Sequence, residues 1–474
     1  MTSRPACSSS GSSGRRVARV VIIGGGISGL SAAWYLKKAG VPSVLVEQRD
    51  RLGGVIATEV VEGCVLEQGP DSFLSAKPAA LELIRELGLA ADVIGSNDHQ
   101  RVTYIRRRGE LVPLPDGLMM MVPTKIMPMV WSPLLSWPTK IRMGLELLRQ
   151  PPSSPPPDRT VADFITDHYG PEAVDYLAEP LLSGVYGGSP ERLSVRSVLT
   201  RFAELESEYG SLTRGVLAAR RKAGPQVNGT PLFRTLKGGL GSMVGLLERG
   251  VADAVEFVTG AAETIEPHEA GYRVKVNGEW VPASHVVVAA PAWAAAELLA
   301  GLDGELAELL SGVEYSSSMT LALGYRREEL GHPLNGFGFL VPRRERKVLV
   351  ACTWVGTKFS HRVPPEWAVL RCFLGGAGNE AVLARPDAEI VAAVRDELRE
   401  IMGVTAEPAF SRISRWPRSM AQYTVGHDRR MAAVRGRLER LPGLHLAGNA
   451  YEGIGIPDCV RMGRAAAEKI AHSV

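Results

Sequence analysis

The sequence predicts an α/β plus α+β architecture: one α/β domain assembled from separated segments, a second sheet-containing domain and a mainly helical lobe. Three observations lead there. A β-branched run, VARVVIIG (17–24), passes directly into Gly24-Gly25-Gly26-Ile27-Ser28-Gly29 and a helical stretch, LSAAWYLKKAG. The end of the chain repeats the order strand, glycine-rich turn, helix in LHLAGNAYEGIGIPDCVRMGRAAAEKIA (444–471). Between them, residues 300–430 alternate strand-like runs (MTLALGY, KVLVACTW, AVLRCFLG) with one helical segment at 387–402.

The length of 474 residues exceeds one compact core and implies two or three domains. A hydrophobic content of 45% with 22% charged residues is that of an ordinary soluble globular protein. The net charge of +3 argues against a nucleic-acid partner but leaves room for local basic patches that hold an anionic substrate. Cys7, Cys64, Cys352, Cys372 and Cys459 are scattered with no C-x-x-C pair, which points to reduced thiols, a cytoplasmic location and no metal site. Residues 1–16 are rich in Ser, Gly and Arg and lack the apolar core of a secretory signal; they read as a disordered leader, with an organelle transit peptide as the alternative. No run reaches 18 uninterrupted apolar residues, so no membrane-spanning helix is expected. Residues 111–149 hold six of the thirteen methionines and two tryptophans, interrupted by prolines and lysines. They suit core, a wall for a large flat ligand or a surface resting on a bilayer, and the adaptable methionines favour the ligand wall.

The first motif has the context its mechanism needs, a strand before it and a helix after it. Gly24 permits the tight turn, Gly26 lets backbone approach a pyrophosphate, and Gly29 lets the helix pack on the strand, with the helix N-terminus facing the phosphates. The next strand, SVLVE, ends in Glu47, suited to a ribose 2′-OH and repellent to a 2′-phosphate, which disfavours NADP. Arg51-Leu52-Gly53-Gly54 and Glu67-Gln68-Gly69-Pro70-Asp71-Ser72-Phe73 then stand where NAD-dependent dehydrogenases continue with βα units. This extension resembles the FAD-binding unit of amine-oxidase-like and glutathione-reductase-like flavoproteins. At the other end, Pro457 sits in the first turn of the last helix, where a missing N–H costs nothing. That helix N-terminus would stabilise negative charge on a reduced flavin near N1 and O2. The FAD domain is therefore expected over 17–80, 233–296 (with strands YRVKV and HVVVAAP) and 431–474. A mainly helical, Met-rich lobe is expected over 97–212, broken by PPSSPPP (151–157). The substrate-binding domain is expected over 81–96, 213–232 and 297–430.

Taken together, GGGISGLSAAW, VEQRDRLGG, EQGPDSFLSAK, LLSGVYGGSPERLSV (181–195), LKGGLGSMV (236–244), ACTW (351–354), SRWPRSMAQYTVGH (414–427) and GNAYEGIGIPDC (448–459) resemble the porphyrinogen oxidases of haem biosynthesis, over nearly the whole chain after residue 17. GPDSFL and SGVYGG are nearer the soluble coproporphyrinogen type than the membrane-bound protoporphyrinogen type. The resemblance implies that Gly24, Gly25, Gly26, Ile27, Ser28 and Gly29 cradle the FAD pyrophosphate, with Glu47 on the adenosine ribose and Gln48 and Val55 also binding the cofactor. Gly69, Pro70, Asp71 and Ser72 line the flavin, Trp416 packs near it (or serves only as core), and Ile454, Gly455 and Ile456 present backbone to its pyrimidine edge. Glu263 places backbone at the adenine. Asn449 stands where such flavoproteins commonly carry an acid, so that acid's ribityl contact is not carried over.

The reaction implied is oxidation of coproporphyrinogen III to coproporphyrin III. Six electrons leave in three two-electron steps, with hydride transfer from a meso carbon to flavin N5 and reoxidation by dioxygen to hydrogen peroxide. The cofactor does the redox work and the protein positions the substrate, so no general base is assigned. Lys77 and Arg101 are expected to host substrate carboxylates, and Arg106-Arg107-Arg108 either help or form a solvated basic loop. Protoporphyrinogen IX is the alternative substrate. More distant are an amine or polyamine oxidase, disfavoured by an aromatic content of 6%, and a non-enzymatic flavoprotein. Peripheral membrane contact and homodimer formation stay open.

Overall fold

The computed structural model describes residues 19–223, 230–269 and 271–473. The leader 1–16 with Cys7, and part of the 213–232 segment, lie outside the described residues.

The β-branched run becomes the centre of a five-stranded parallel sheet. The strand order is Val255–Thr259, Ser43–Glu47, Val20–Ile23, His285–Val288, Leu444–Leu446. Val20, Val21 and Ile22 are completely buried, which explains the absence of polar alternation: this sheet is covered on both faces. Three distant parts of the chain thus build one sheet. The first helix, Ile27–Lys38, packs against the last, Ile456–Ala471, and Gly463 makes that approach possible. A Cβ on Gly463 would lie 2.2 Å from the Ser28 carbonyl oxygen.

A seven-stranded sheet forms the second unit, in the order Phe410–Gln422, Glu314–Arg326, Trp367–Gly375, Ala351–Trp354, Gly338–Leu340, Thr103–Arg107, Glu110–Pro113. All neighbours are antiparallel except Gly338–Leu340 against Thr103–Arg107. Helix Asp387–Met402 matches the expected 387–402 segment and buries Ile390, Val394 and Leu398 in one cluster with Leu321, Leu323 and Leu370 of the sheet.

Three boundaries differ from the sequence reading. Residues 103–113 are not helical lobe but an edge hairpin of the large sheet, closed by Arg108 and Gly109 at φ 53° and 84°. Consecutive arginines hid its alternation: Arg106 points inward to Glu397, Arg107 pairs with Glu172 instead, and Arg108 stands in the exposed turn. Helix Ala79–Glu86 buries Ala80, Leu83 and Ile84 in the core of the parallel sheet, so it belongs with that domain. Helix Leu212–Ala223 joins the helical lobe, with Leu212 and Val216 packed among Phe164, Tyr169 and Leu177.

The helical lobe also encloses a polar knot. Fully buried His168 lies 3.0 Å from Glu146 Oε1 through Nδ1 and 3.1 Å from Glu206 Oε1 through Nε2. Ser211 Oγ donates to Glu146 (2.8 Å), and Arg159 to Glu206 (2.6 Å). Burial pushes both carboxyls up, but His168 and the other donors outweigh it and hold both below the ordinary value. Their contribution to stability is therefore complete above the ordinary carboxylate value of 4.5 and is lost as pH falls below it. His168→Leu removes the donor the two buried carboxylates share and leaves them facing each other, and urea denaturation is expected to show a loss of about 3 kcal/mol. An unchanged midpoint would mean the knot contributes nothing.

Candidate functional site

The glycine turn separates residues the fold requires from one it does not. Gly24 has φ +107°, and a Cβ there would sit 2.8 Å from the Ala289 carbonyl oxygen. At Gly29 a Cβ would fall 1.9 Å from the Gly24 carbonyl oxygen. Both glycines are explained by the protein's own atoms. Gly26 has φ −71°, and a Cβ there would meet nothing within 4 Å. Its lack of a side chain leaves open space directly before a helix whose first turn carries no acid and no side-chain cap. Unsatisfied N–H groups and the positive end of the helix dipole converge on that space, which is the chemistry of an anion cradle.

Neighbouring residues complete the cradle. Glu47 takes the Gly25 N–H on Oε2 (2.7 Å) and the Arg49 N–H on Oε1 (3.0 Å). Gly53 N–H donates to the Gly25 carbonyl (2.8 Å), and a Cβ on Gly54 would stand 3.2 Å from Gly26 Cα, so the Arg-Leu-Gly-Gly loop lies against the turn. Arg51 fixes that loop by donating to the carbonyls of Gly54 (2.7 Å), Leu52 and Ile56 (both 3.3 Å). Ile27 and Ser28 are buried in the first helical turn, whereas Gln48 and Val55 are exposed beside it.

Residues 68–72 form the junction with the large sheet. The Gln68 carbonyl accepts from Trp416 Nε1 (2.8 Å) and Thr320 Oγ1 (2.7 Å), and the Gly69 carbonyl accepts from the Arg371 guanidinium. Three adjacent strands thus each supply one donor to one turn. A Cβ on Gly69 would strike the Val55 carbonyl oxygen at 1.8 Å, so this turn also presses on the first loop. Asp71 pairs with Lys358 (2.8 Å) and Arg371 (3.6 Å), and Ser72 Oγ donates to it (2.6 Å). Burial alone would raise its carboxyl, but Lys358 and Arg371 outweigh that and hold it well below the ordinary range. Behind it, Glu67 and Arg362 pair at 2.8 Å with both side chains 1% exposed. Sequence reasoning missed Thr320, Lys358, Arg362 and Arg371. Arg371 left one signal, a charged residue inside the apolar run AVLRCFLG.

The C-terminal turn meets Lys77. Gly455 precedes the last helix in an extended conformation, and its N–H reaches Asp458 Oδ2 at 3.3 Å. The same oxygen accepts from Lys77 Nζ at 2.6 Å, and the lysine stays half exposed. Lys77 therefore lies beside Gly455 and Ile456, with part of its charge already matched. Ile454 is half-buried and Ile456 buried. Asn449 is committed to protein: Nδ2 donates to the Ser419 carbonyl (2.9 Å), and its own carbonyl accepts from Tyr423 (2.8 Å). Glu263 marks a register shift in its strand, and its carboxylate takes Gly278 N–H (2.7 Å) and Lys275 (3.2 Å).

The basic run divides. Arg101 is exposed at the start of the edge hairpin. Arg106 is a cross-link, buried against Glu397 (3.3 Å) and Glu400 (2.6 Å) of helix Asp387–Met402, and so is not a host for substrate. Arg107 pairs with Glu172 (3.0 Å) and stacks on Tyr176, while Arg108 is exposed at the hairpin turn.

The chain is similar to known proteins along nearly its whole length. The model of the flavin containing amine oxidoreductase family matches residues 27–471. The chain is 34% identical to coproporphyrinogen III oxidase of Bacillus subtilis (strain 168), over 94% of this chain and 96% of that one. It is 29% identical to protoporphyrinogen oxidase 1, chloroplastic, of Spinacia oleracea, over 93% and 82%. A crystal structure from Exiguobacterium sp. 255-15, described as a protoporphyrinogen oxidase, superposes with TM-score 0.86 at 32% identity, covering 96% of this chain and 99% of that one. FAD fits the cradle, because Gly26 leaves space that protein does not use. Gly26→Val should leave the flavin-free fold within about 1 kcal/mol of wild type while abolishing FAD retention, read by thermal unfolding and flavin absorbance. Full flavin occupancy in that variant would remove the turn from the cofactor site. The chain belongs to the flavin containing amine oxidoreductase family and, within it, to the FAD-dependent porphyrinogen oxidases.

Proposed function

We propose that the chain oxidises coproporphyrinogen III to coproporphyrin III, passing six electrons in three two-electron steps to FAD and from it to dioxygen. The observation that carries this reading is full-length similarity: four coproporphyrinogen III oxidases are 30–34% identical to the chain, and four protoporphyrinogen oxidases 28–29%. Bound FAD supplies the two-electron acceptor. The first-turn N–H groups of helix Ile27–Lys38 hold the pyrophosphate, and Glu47 turns to the adenosine ribose. The clamped 68–72 turn and Trp416 wall the flavin. The 454–456 turn offers backbone N–H and the positive end of the last helix to negative charge on the reduced ring. Asp71 is locked in an ion pair and ionised, so it orients rather than transfers protons.

Lys77 and Arg101 are the cations we assign to substrate carboxylates. Coproporphyrinogen III carries two more carboxylates than protoporphyrinogen IX, so Lys77→Ala should cost the former more. Because Asp458 already matches part of the Lys77 charge, the expected difference is about 1 kcal/mol, read as kcat/KM on both substrates. A wild-type preference for protoporphyrinogen IX would replace the substrate assignment and leave the porphyrinogen oxidase reading standing.

We also assign residues 126–148 to contact with an anionic lipid surface. Trp137, Ile141, Leu145 and Leu148 recur on one helical face, and that face points to solvent; Thr139, Met143 and Glu146 are the buried ones. Ile126, Met127 and Trp131 extend it, with Trp131 76% and Leu148 71% exposed. Its charge suits anionic lipid: the segment carries Lys140 and Arg142 and is flanked by Arg149 and by Lys125, which pairs with Asp116, whereas its own acid Glu146 is buried. Among the described residues no helix is long and apolar enough to cross a membrane. Wild type should co-sediment with vesicles containing anionic lipid, and Trp131→Ser with Trp137→Ser should weaken this at least tenfold without lowering the melting temperature. Wild type left in the supernatant would exclude the surface contact, and a lowered melting temperature would mark these tryptophans as part of the fold.

A further inference from the structure

We propose that the buried cluster of Asp71, Arg371 and Lys358 sets the reduction potential of the bound flavin through a surplus positive charge. The inference rests on the reading of residues 68–72 as the flavin wall.

Five ionisable side chains converge behind that turn: Glu67, Asp71, Lys358, Arg362 and Arg371. The rear pair is saturated. Glu67 takes Arg362 at 2.8 Å, Thr58 Oγ1 at 2.6 Å and Leu240 N–H at 2.7 Å, and Arg362 further donates to Thr235 and to the Leu236 carbonyl. The front group is unbalanced, since Asp71 faces two cations. Lys358 is 13% and Arg371 5% exposed, so solvent screens the extra charge poorly. Desolvating a cation is costly, and hydrophobic residues of the same volume would hold the sheet without it. Arg371 also donates to the Gly69 carbonyl, which ties the charge to the turn itself.

A flavin that accepts a hydride gains an electron pair, and the pair's negative charge is stabilised by a nearby buried cation. Removing a cation from this cluster should make the flavin harder to reduce, and removing the carboxylate should make it easier. A purely structural clamp would be loosened by either change and would not produce opposite signs. The three residues act on the cofactor by position and charge; none is assigned a bond-making role.

The test is anaerobic, dye-equilibrated reduction of the flavin-loaded enzyme. Lys358→Met replaces the ammonium, which lies 5.1 and 5.2 Å from the Phe233 and Phe359 ring centroids, with an unbranched apolar side chain of similar length. It should lower the reduction equilibrium constant at least tenfold, about 30 mV for two electrons. Asp71→Asn, nearly isosteric, should raise it by a similar factor. Arg371→Lys keeps the charge and should stay within threefold of wild type. Lys358→Gln provides a second neutral variant should the methionine one fail to fold. Unchanged potentials, or potentials that move the same way in Lys358→Met and Asp71→Asn, would overturn the inference while the bound flavin upholds the cofactor reading. A folded wild-type protein that takes up no FAD would overturn both.

Discussion

The molecule depends on two backbone approaches that leave no room for a single carbon atom. Gly29 lies so near the Gly24 carbonyl, and Gly463 so near the Ser28 carbonyl, that any side chain at either position would overlap backbone oxygen. The first contact sets the helix Ile27–Lys38 on its strand with the N-terminus facing open space. The second seats the last helix on the first, which carries the 454–456 turn to the same edge of the sheet. Because the strand order draws on residues 20, 43, 255, 285 and 444, the sheet is complete only when both chain ends have arrived. The cofactor domain is therefore a late, long-range product of folding despite its local signature.

The second unit is attached at the turn that the cofactor reading places against the flavin. Donors from strands Phe410–Gln422, Glu314–Arg326 and Trp367–Gly375 all end on the carbonyls of Gln68 and Gly69. Directional bonds to two consecutive carbonyls fix the turn's height and rotation, which apolar packing alone would leave free to slide. Ion pairs add distance rather than direction. Asp71 with Lys358 and Arg371, and Glu67 with Arg362, keep the sheet from approaching more closely or tilting away. A porphyrinogen is broad, and its saturated meso carbons let the ring pucker, so the spacing between this sheet and the parallel domain bears directly on what can enter.

Legibility in the sequence followed the range of the interactions. The 24–29 turn could be read because its constraints are local: strand, positive φ and helix start occur within ten residues. Arg371 and Thr320 could not, because their roles are set by pairing with Gly69 and Gln68 across 302 and 252 residues. Lys77 was legible as a cation near the flavin-lining segment, but its partner Asp458 lies 381 residues away. The arginine run misled for a different reason. On a strand, consecutive residues face opposite sides, so a cluster in sequence is not a cluster in space. Arg106 crosses to Glu397 in the interior, Arg107 pairs with Glu172, and Arg108 stands in solvent at the turn. Residues 111–149 left core, ligand wall and bilayer surface open. Over 137–148 the apolar period is that of an ordinary amphipathic helix, and the direction its stripe faces, outward, is set by the packing of the lobe and not by the pattern.

These particulars define a division of labour. Backbone makes the cofactor cradle, because N–H groups and a helix end offer positive potential without a side chain that could titrate or swing away. Charged side chains are kept for the junction, where burial shields them from solvent and from displacement by it. Asp71 belongs to both systems, since the cofactor reading sets its turn against the flavin while its carboxylate holds the sheet. Asp458, at the other end, is caught between the Gly455 N–H and Lys77 and ties the last helix to the segment before helix Ala79–Glu86. Both residues are carboxylates with cationic partners on distant segments. A change in either partner alters the electrostatics of the site and its shape together, which is why charge-conserving variants such as Arg371→Lys are needed to separate the two.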